Sequence, residues 1–303
     1  TTIPFIGPEL GVWIRGDFAI SDPTLTRFFA LHIVAVPMVI LLLVILHLSA
    51  LHTVGSNNPD GVEIKKHKDE NGIPLDGVPF HPYYTVKDFV GIGVFLFLFA
   101  LTVFFVPEMG GYFLEHANFI PANPLVTPEH IAPVWYFTPF YSILRAIPDP
   151  AYGALAMALS IVVLFFLPWI DKNPIKSIRY RSSLFKINLF VFVIGFLILG
   201  WLGVKAPTPL YSALALRFSE MYFIFFALLY FYSTSRSNFF SYLFTGILLS
   251  LITIYDITRI TSENYLTVLI GLVLVSIFVI FMTITPLYTR LNTEKQVPDR
   301  VTG

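Results

Sequence analysis

Residues 26–59 read TRFFALHIVAVPMVILLLVILHLSALHTVGSNNP, and this stretch decides the architecture of the chain. From Phe28 to Ala50 it is almost wholly apolar, long enough to cross a bilayer core, which needs ~20 residues. Two histidines interrupt it, His32 near the start and His47 near the end. An imidazole in hydrocarbon is costly unless it is paired or ligates a metal, so each is a candidate functional group. Their separation of fifteen residues corresponds on an α-helix to ~22 Å of rise and ~60° of azimuth. Both rings therefore leave the same side of the helix, one near each membrane face. Two sites stacked across a bilayer suit two redox centres, and neutral imidazole is a common axial ligand of haem iron. The competing account is a pair of helix histidines bonded to neighbouring polar groups, and the residues alone leave both open.

The remaining composition agrees with a membrane setting. Of 303 residues, 56% are hydrophobic and 13% charged, against roughly a quarter charged in soluble domains, and the mean hydropathy is +0.75. There is no cysteine, which excludes disulfides, thiolate nucleophiles and cysteine-ligated clusters or zinc. A formal net charge of zero gives no hint of nucleic acid. TTIPFIG at the start carries no signal-peptide pattern, so the sequence reads as the interior of a longer protein. Residues 1–25, broken by Pro4, Gly7, Pro8 and Gly11, predict a short helix lying in the interface, with Trp13 at headgroup level. Further apolar spans at 89–106, 152–170, 186–204, 211–232, 239–255 and 265–287 bring the expected transmembrane helices to about seven. The fold class expected is all-α, a polytopic transmembrane helix bundle.

Several motifs follow in order: F-x-x-H at Phe29–His32, then His47, His52 and GSNNP at Gly55–Pro59. FHPYYTVKD comes next at Phe80–Asp88, and PVWY at Pro133–Tyr136. Together they resemble the cytochrome b family, the quinone-binding, two-haem subunit of ubiquinol–cytochrome c oxidoreductases, in its proteobacterial type. The resemblance implies a chain that begins after the family's third helix, lacking about two-fifths of its length. It implies two domains, 1–53 closing the haem-binding part and 54–303 forming the C-terminal part. The family has five helices in this region. Both TPLYSALALRFSEMYFIFFALLYFY and the ending IFVIFMTITPLYTR resemble its last helix, so an extra helical pair is expected near the C-terminus.

The same resemblance implies the site residues. His32 and His47 would each give one axial ligand to a b-type haem, the second ligands coming from absent N-terminal helices. Arg27, Ser56 and Lys87 extend the cofactor-binding set. His52, Ser56 and Asp88 match the quinone-reduction site, although Lys87–Asp88 also reads as a charged helix start placed at the interface. Pro133, Trp135, Tyr136 and Tyr141 match the quinol-oxidation pocket. The family's usual glutamate there is Val134, which cannot accept a proton, and Glu108, Glu115, Glu129 and His130 are candidate substitutes. The implied substrates are ubiquinol and ubiquinone, and the implied partners a Rieske iron–sulfur protein, a cytochrome c-type subunit and membrane lipid. A homodimeric complex in the bacterial inner membrane is expected, with electron transfer coupled to proton translocation.

Charge distribution supplies an independent test. With the start of the chain outside, cytoplasmic segments 53–87, 171–186, 233–238 and 288–303 hold thirteen of the 19 Lys and Arg. The six on the other side are Arg15, Arg27, Arg145, Lys205, Arg217 and Arg259. That bias obeys the positive-inside rule. The rival reading is a secondary transporter whose intramembrane histidines and Gly/Pro breaks line a substrate path.

Overall fold

The computed structural model describes residues 2–111, 116–121, 123, 125–126, 131–234, 238–258 and 265–301. They form two compact units, Thr1–Asn58 with Ala117–Glu129 and Pro59–His116 with His130–Gly303.

In the first unit the His-bearing segment is helical, but it starts earlier than its apolar content suggests and is not uniform. Helix α1 (Gly7–Arg15) stops at Gly16, whose φ of 83° is the left-handed conformation that glycine adopts without steric cost. Helix α2 (Asp22–Ala30) begins behind a Ser21–Thr24 capping box, passes through a π turn at Leu31–Ala35 and continues as α3 (Val36–Val54). The result is a single rod of 33 residues, Asp22–Val54. Pro37 accounts for the π turn. In an unbroken α-helix its ring would collide with the carbonyl four residues back, that of Ile33. Here the Val36 N–H instead reaches the carbonyl of Leu31, a five-residue step that widens the turn where the ring must fit. The Thr24 hydroxyl donates to the Arg15 carbonyl at 2.7 Å, tying the end of α1 to the start of the rod.

The second unit contains α4 (Tyr83–Phe105), α5 (Thr138–Ala146), α6 (Pro150–Phe165), α7 (Leu167–Ile170), α8 (Ser183–Val204), α9 (Pro209–Tyr232), α10 (Asn238–Ile257) and α11 (Tyr265–Tyr288). Across both units, six described helices are long and apolar enough to cross a membrane. The seventh expected span, 152–170, is instead the 16-residue α6 and the single turn α7, parted at Phe166. Pro168 explains the break, because it lacks the N–H that would continue α6. Among the described residues no strand forms beyond an isolated bridge between Lys68 and Pro74. The expected all-α membrane bundle is what the chain forms. Its last two helices, α10 and α11, pack on one another as the expected extra pair.

Helices α8 and α9 form the centre. One apolar cluster joins Leu184, Ile224, Leu228, Val279 and Met282 across α8, α9 and α11. A second joins Ile143 of α5 with Leu199, Tyr222, Phe225 and Phe226. Lipid tails are as apolar as leucine, so packing and hydrogen bonds must hold such helices together. The buried Asn188 side chain donates to the Phe225 carbonyl at 3.2 Å, and the Tyr222 hydroxyl to the Ser160 carbonyl at 2.7 Å. Thr245 donates to the Thr283 hydroxyl, 2.7 Å away on α11.

Three polar segments of the second unit converge at one end of its helices. Arg179 and Tyr180 both donate to the buried Asp60, at 2.6 and 2.7 Å, and Ser177 donates to the Pro59 carbonyl. Arg181 forms a bidentate pair with Asp171. Arg300 grips Asp76 at 2.7 Å. These segments belong to the stretches expected on the cytoplasmic side. The hydrogen bond from Arg300 holds the Asp76 carboxyl below its ordinary value of 3.8. A lowered carboxyl value makes this contribution complete above pH 3.8 and loses it as pH falls through the lowered value. Asp76→Asn is therefore expected to expose residues 295–301 to limited proteolysis at neutral pH, without loss of helix signal in circular dichroism.

Candidate functional site

The PVWY segment forms a tight turn ahead of α5. The Phe137 N–H bonds the Val134 carbonyl at 2.8 Å, and the Thr138 hydroxyl bonds the Trp135 carbonyl at 2.6 Å. Trp135 meets Tyr136 edge to face with centroids 5.6 Å apart, and Tyr136 meets Phe137 at 4.8 Å. Val134, Trp135 and Tyr136 make one wall of a cavity of about 420 Å³. The other wall is one face of α4, chiefly Phe95, Phe99 and Thr102, with Pro107 at its edge. That volume is ordinary for a small-molecule or cofactor site. The wall is aromatic and apolar, suited to a flat ring with a hydrophobic tail. Thr102 already donates to the Leu98 carbonyl at 3.0 Å.

The position of this turn is set by what lies behind it. Thr138 and Pro139, at the start of α5, rest on α8 where Gly200 and Gly203 leave the backbone bare. A Cβ added at Gly203 would lie 2.2 Å from the Thr138 carbonyl oxygen. At the other end of α5, Arg145 donates to the carbonyls of Lys205 and Leu202 at 2.9 and 2.8 Å, capping α8 where its dipole favours a cation. The Arg145 guanidinium also covers the Tyr141 ring at 4.8 Å. Tyr141 thus sits against Arg145 and not among the residues that line the cavity. Pro133 is half-buried and also stands outside the lining.

The other expected site residues lie as follows. His32 is in the π turn and His47 is far along α3; both are exposed and neither hydrogen-bonds another described residue. No three His, Cys, Asp or Glu side chains among the described residues converge to hold a metal ion, so each imidazole stands as a single donor. Arg27 reaches back to α1, where its guanidinium donates to the carbonyls of Trp13 and, at 3.2 Å, Ile14. His52 occupies the last turn of α3, and Ser56 follows the Gly55 that ends it. In the second unit, Lys87 lies over the Tyr84 ring at 5.4 Å. Because α4 starts at Tyr83, Asp88 falls in its second turn and not at the helix start. The account of Asp88 as a partner of the helix dipole is correspondingly weaker. Of the candidate proton acceptors, Glu108 is exposed directly after Pro107, while Glu115, Glu129 and His130 lie outside the described residues.

Two features were not anticipated from sequence. The cavity-lining face of α4 recurs at 95, 98, 99 and 102, the helical period, but it lies within an unbroken apolar run and has no polar face to mark it. A charged cluster also lies inside the bundle. Arg217, counted above among the outer charges, sits within α9 and bonds both oxygens of the fully buried Asp256 on α10, as well as Glu220 at 2.8 Å. Gly271 on α11 makes room, since a Cβ there would lie 2.6 Å from Arg217 Cδ.

Known proteins match this chain along most of its length. The family model "Cytochrome b(N-terminal)/b6/petB" matches residues 1–139, and "Cytochrome b(C-terminal)/b6/petD" matches residues 121–223. A cytochrome b of Allochromatium vinosum is 52% identical over 77% of this chain and 58% of its own length. One of Rickettsia typhi is 49% identical over 74% of this chain and 53% of its own. A solved structure described as "Hyperthermophilic respiratory Complex III" superposes with a TM-score of 0.67 and 36% identity. It covers 76% of this chain and 57% of its own. The chain thus spans between half and three-fifths of the length of these relatives. Ordered motifs, apolar helices and family matches over residues 1–223 lead to one assignment: this is a multi-pass membrane protein, and the chain belongs to the cytochrome b family.

Proposed function

We propose that the chain forms part of the cytochrome b subunit of a quinol:cytochrome c oxidoreductase. In this reading quinol is oxidised near the periplasmic face, quinone is reduced near the cytoplasmic face, and the two are coupled to proton translocation. The observation that carries it is a single apolar rod bearing two imidazoles at different depths, each without a hydrogen-bond partner among the described residues. Unpartnered neutral imidazoles in hydrocarbon suit iron ligation, and they fit a b-type haem at each level. When bound, two such haems supply one-electron carriage across the membrane. His32 and His47 would each hold one haem iron through a ring nitrogen.

The rest of the chemistry falls to side chains of this chain. Trp135, Tyr136, Phe95 and Phe99 shield and hold a quinol ring in the cavity, and Pro133 and Tyr141, outside the lining, support that wall from the turn and from α5. Val134 leaves the proton acceptor to another group, and Glu108, next to Pro107, is the described candidate. His52, Ser56 and Asp88 deliver protons to quinone at the opposite face, with Lys87 balancing charge there, while Arg27 belongs to the cofactor-binding set at the His32 end of the rod. Residues 1–53 act with the haem-binding part and 54–303 with the quinol-oxidising part. A Rieske iron–sulfur protein and a cytochrome c-type subunit take up the electrons, in a lipid-embedded homodimeric complex of the bacterial inner membrane.

The test is His32→Leu and His47→Leu in the intact complex, followed by redox titration of the reduced-haem absorbance. Each variant is expected to lose one of two b-type transitions and keep the other. Two unchanged transitions in both variants would end this reading, and a native complex without reduced-haem bands would favour a transporter.

A further inference from the structure

An uninterrupted α-helix puts the two imidazoles on one side but not in line. Fifteen α steps, from His32 to His47, overshoot four turns by ~60°. The structure has a π turn inside that interval, and His32 is its second residue. Each step of a five-residue hydrogen-bonded turn rotates the chain by roughly 80° in place of 100°. Between His32 and Val36 this removes ~70° of rotation, so the two ring azimuths come within about 20° of each other. The correction cancels most of the overshoot, and it does so at the ligand itself.

We propose that the π turn Leu31–Ala35 is a phase corrector, a positioning device that swings His32 into line with His47 so that both present their nitrogens to the same flank. Pro37 holds the turn open, because closing it would press the proline ring onto the Ile33 carbonyl. His32 is the ligand; residues 33–35 act only through it. π turns recur at functional positions for this reason: they redirect one side chain without breaking the helix. The inference rests on the haem-ligand assignment above.

The test compares two single-residue deletions in the intact membrane complex, Val34 and Leu42, again by redox titration. Deleting Val34, made together with Pro37→Ala so that no proline ring blocks an α turn, removes the extra residue of the wide turn and leaves the rings roughly 40° apart. Deleting Leu42 from the regular part of α3 leaves the turn in place and drives them roughly 110° apart. The expected result is that the Val34 deletion keeps both b-type transitions, one with a shifted midpoint. The Leu42 deletion should lose one, with the surviving transition reporting that the protein has folded. Equal behaviour of the two deletions, or loss in the Val34 variant alone, overturns the proposal. Loss of both transitions in the Val34 variant also counts against it. If His32→Leu and His47→Leu leave both transitions intact, the ligand assignment falls and this inference with it. If those variants each lose one while the deletions do not differ, only the phase correction is wrong.

Discussion

Arg217→Leu is expected to be the most destabilising single change in the second unit, costing about 3–5 kcal/mol. The guanidinium is 12% exposed and serves two carboxylates, one of which, Asp256, is fully buried. Removing it leaves the fully buried Asp256 carboxyl with no cation beside it. Removing a carboxylate is different. Glu220→Gln leaves Arg217 and Asp256 as a balanced pair, and the expected change is under ~1 kcal/mol. One Glu220 oxygen, Oε1, already lacks a partner, so little is lost there. The double change Arg217→Leu with Asp256→Leu should recover much of the single loss, because apolar replacements of a buried pair are often neutral. Detergent-resistant thermal unfolding, read by circular dichroism, measures all three. An Arg217→Leu protein as stable as Glu220→Gln would show that the cluster does not hold α9, α10 and α11 together.

The second large effect concerns activity. Gly203→Ala would place a methyl group 2.2 Å from the Thr138 carbonyl oxygen and 2.8 Å from Thr138 Cβ. The obstacle is backbone, so α5 must back away by an ångström or more, and the Trp135–Tyr136 wall of the cavity moves with it. Misplacement on that scale costs about 100-fold in a positioned reaction. Quinol-dependent reduction of cytochrome c by the intact complex should fall by that order, with both b-type transitions unaltered. Gly246→Ala is the matched control, since a Cβ there meets nothing within 4 Å. Wild-type turnover in Gly203→Ala would separate the cavity from the reaction assigned to it.

Much of this architecture was legible in the residues. Apolar run length gave six of the spans, because a segment that must satisfy its own backbone in lipid can only be helical. At the seventh, 152–170, hydropathy runs on past Phe166 but the hydrogen-bond ladder is interrupted ahead of Pro168, so helix α6 is shorter than the apolar run. The same blindness hid the π turn: Pro37 marked it, yet composition treats proline in an apolar run as one more apolar residue. Of the site, the PVWY motif was legible because tryptophan and tyrosine beside proline are chemically distinctive. The α4 face opposite it was not, since Phe95 and Phe99 look like any lipid-facing phenylalanine until the cavity is seen. Arg217 illustrates a third kind of loss. Charge counting assigns a cation to a membrane side, but only tertiary structure shows that it has carboxylates within reach.

The seating of α5 on α8 also fixes an order of events during biogenesis. Arg145 bonds the carbonyl of Lys205, a residue 60 positions later in the chain. At translation rates of ~5–20 residues per second, the short amphipathic helix emerges several seconds before its platform exists. Until then it has no protein surface to cover its apolar side and must wait at the lipid headgroups. The aromatic wall is therefore a late product of synthesis, completed only once the α8 hairpin has been threaded into the bilayer.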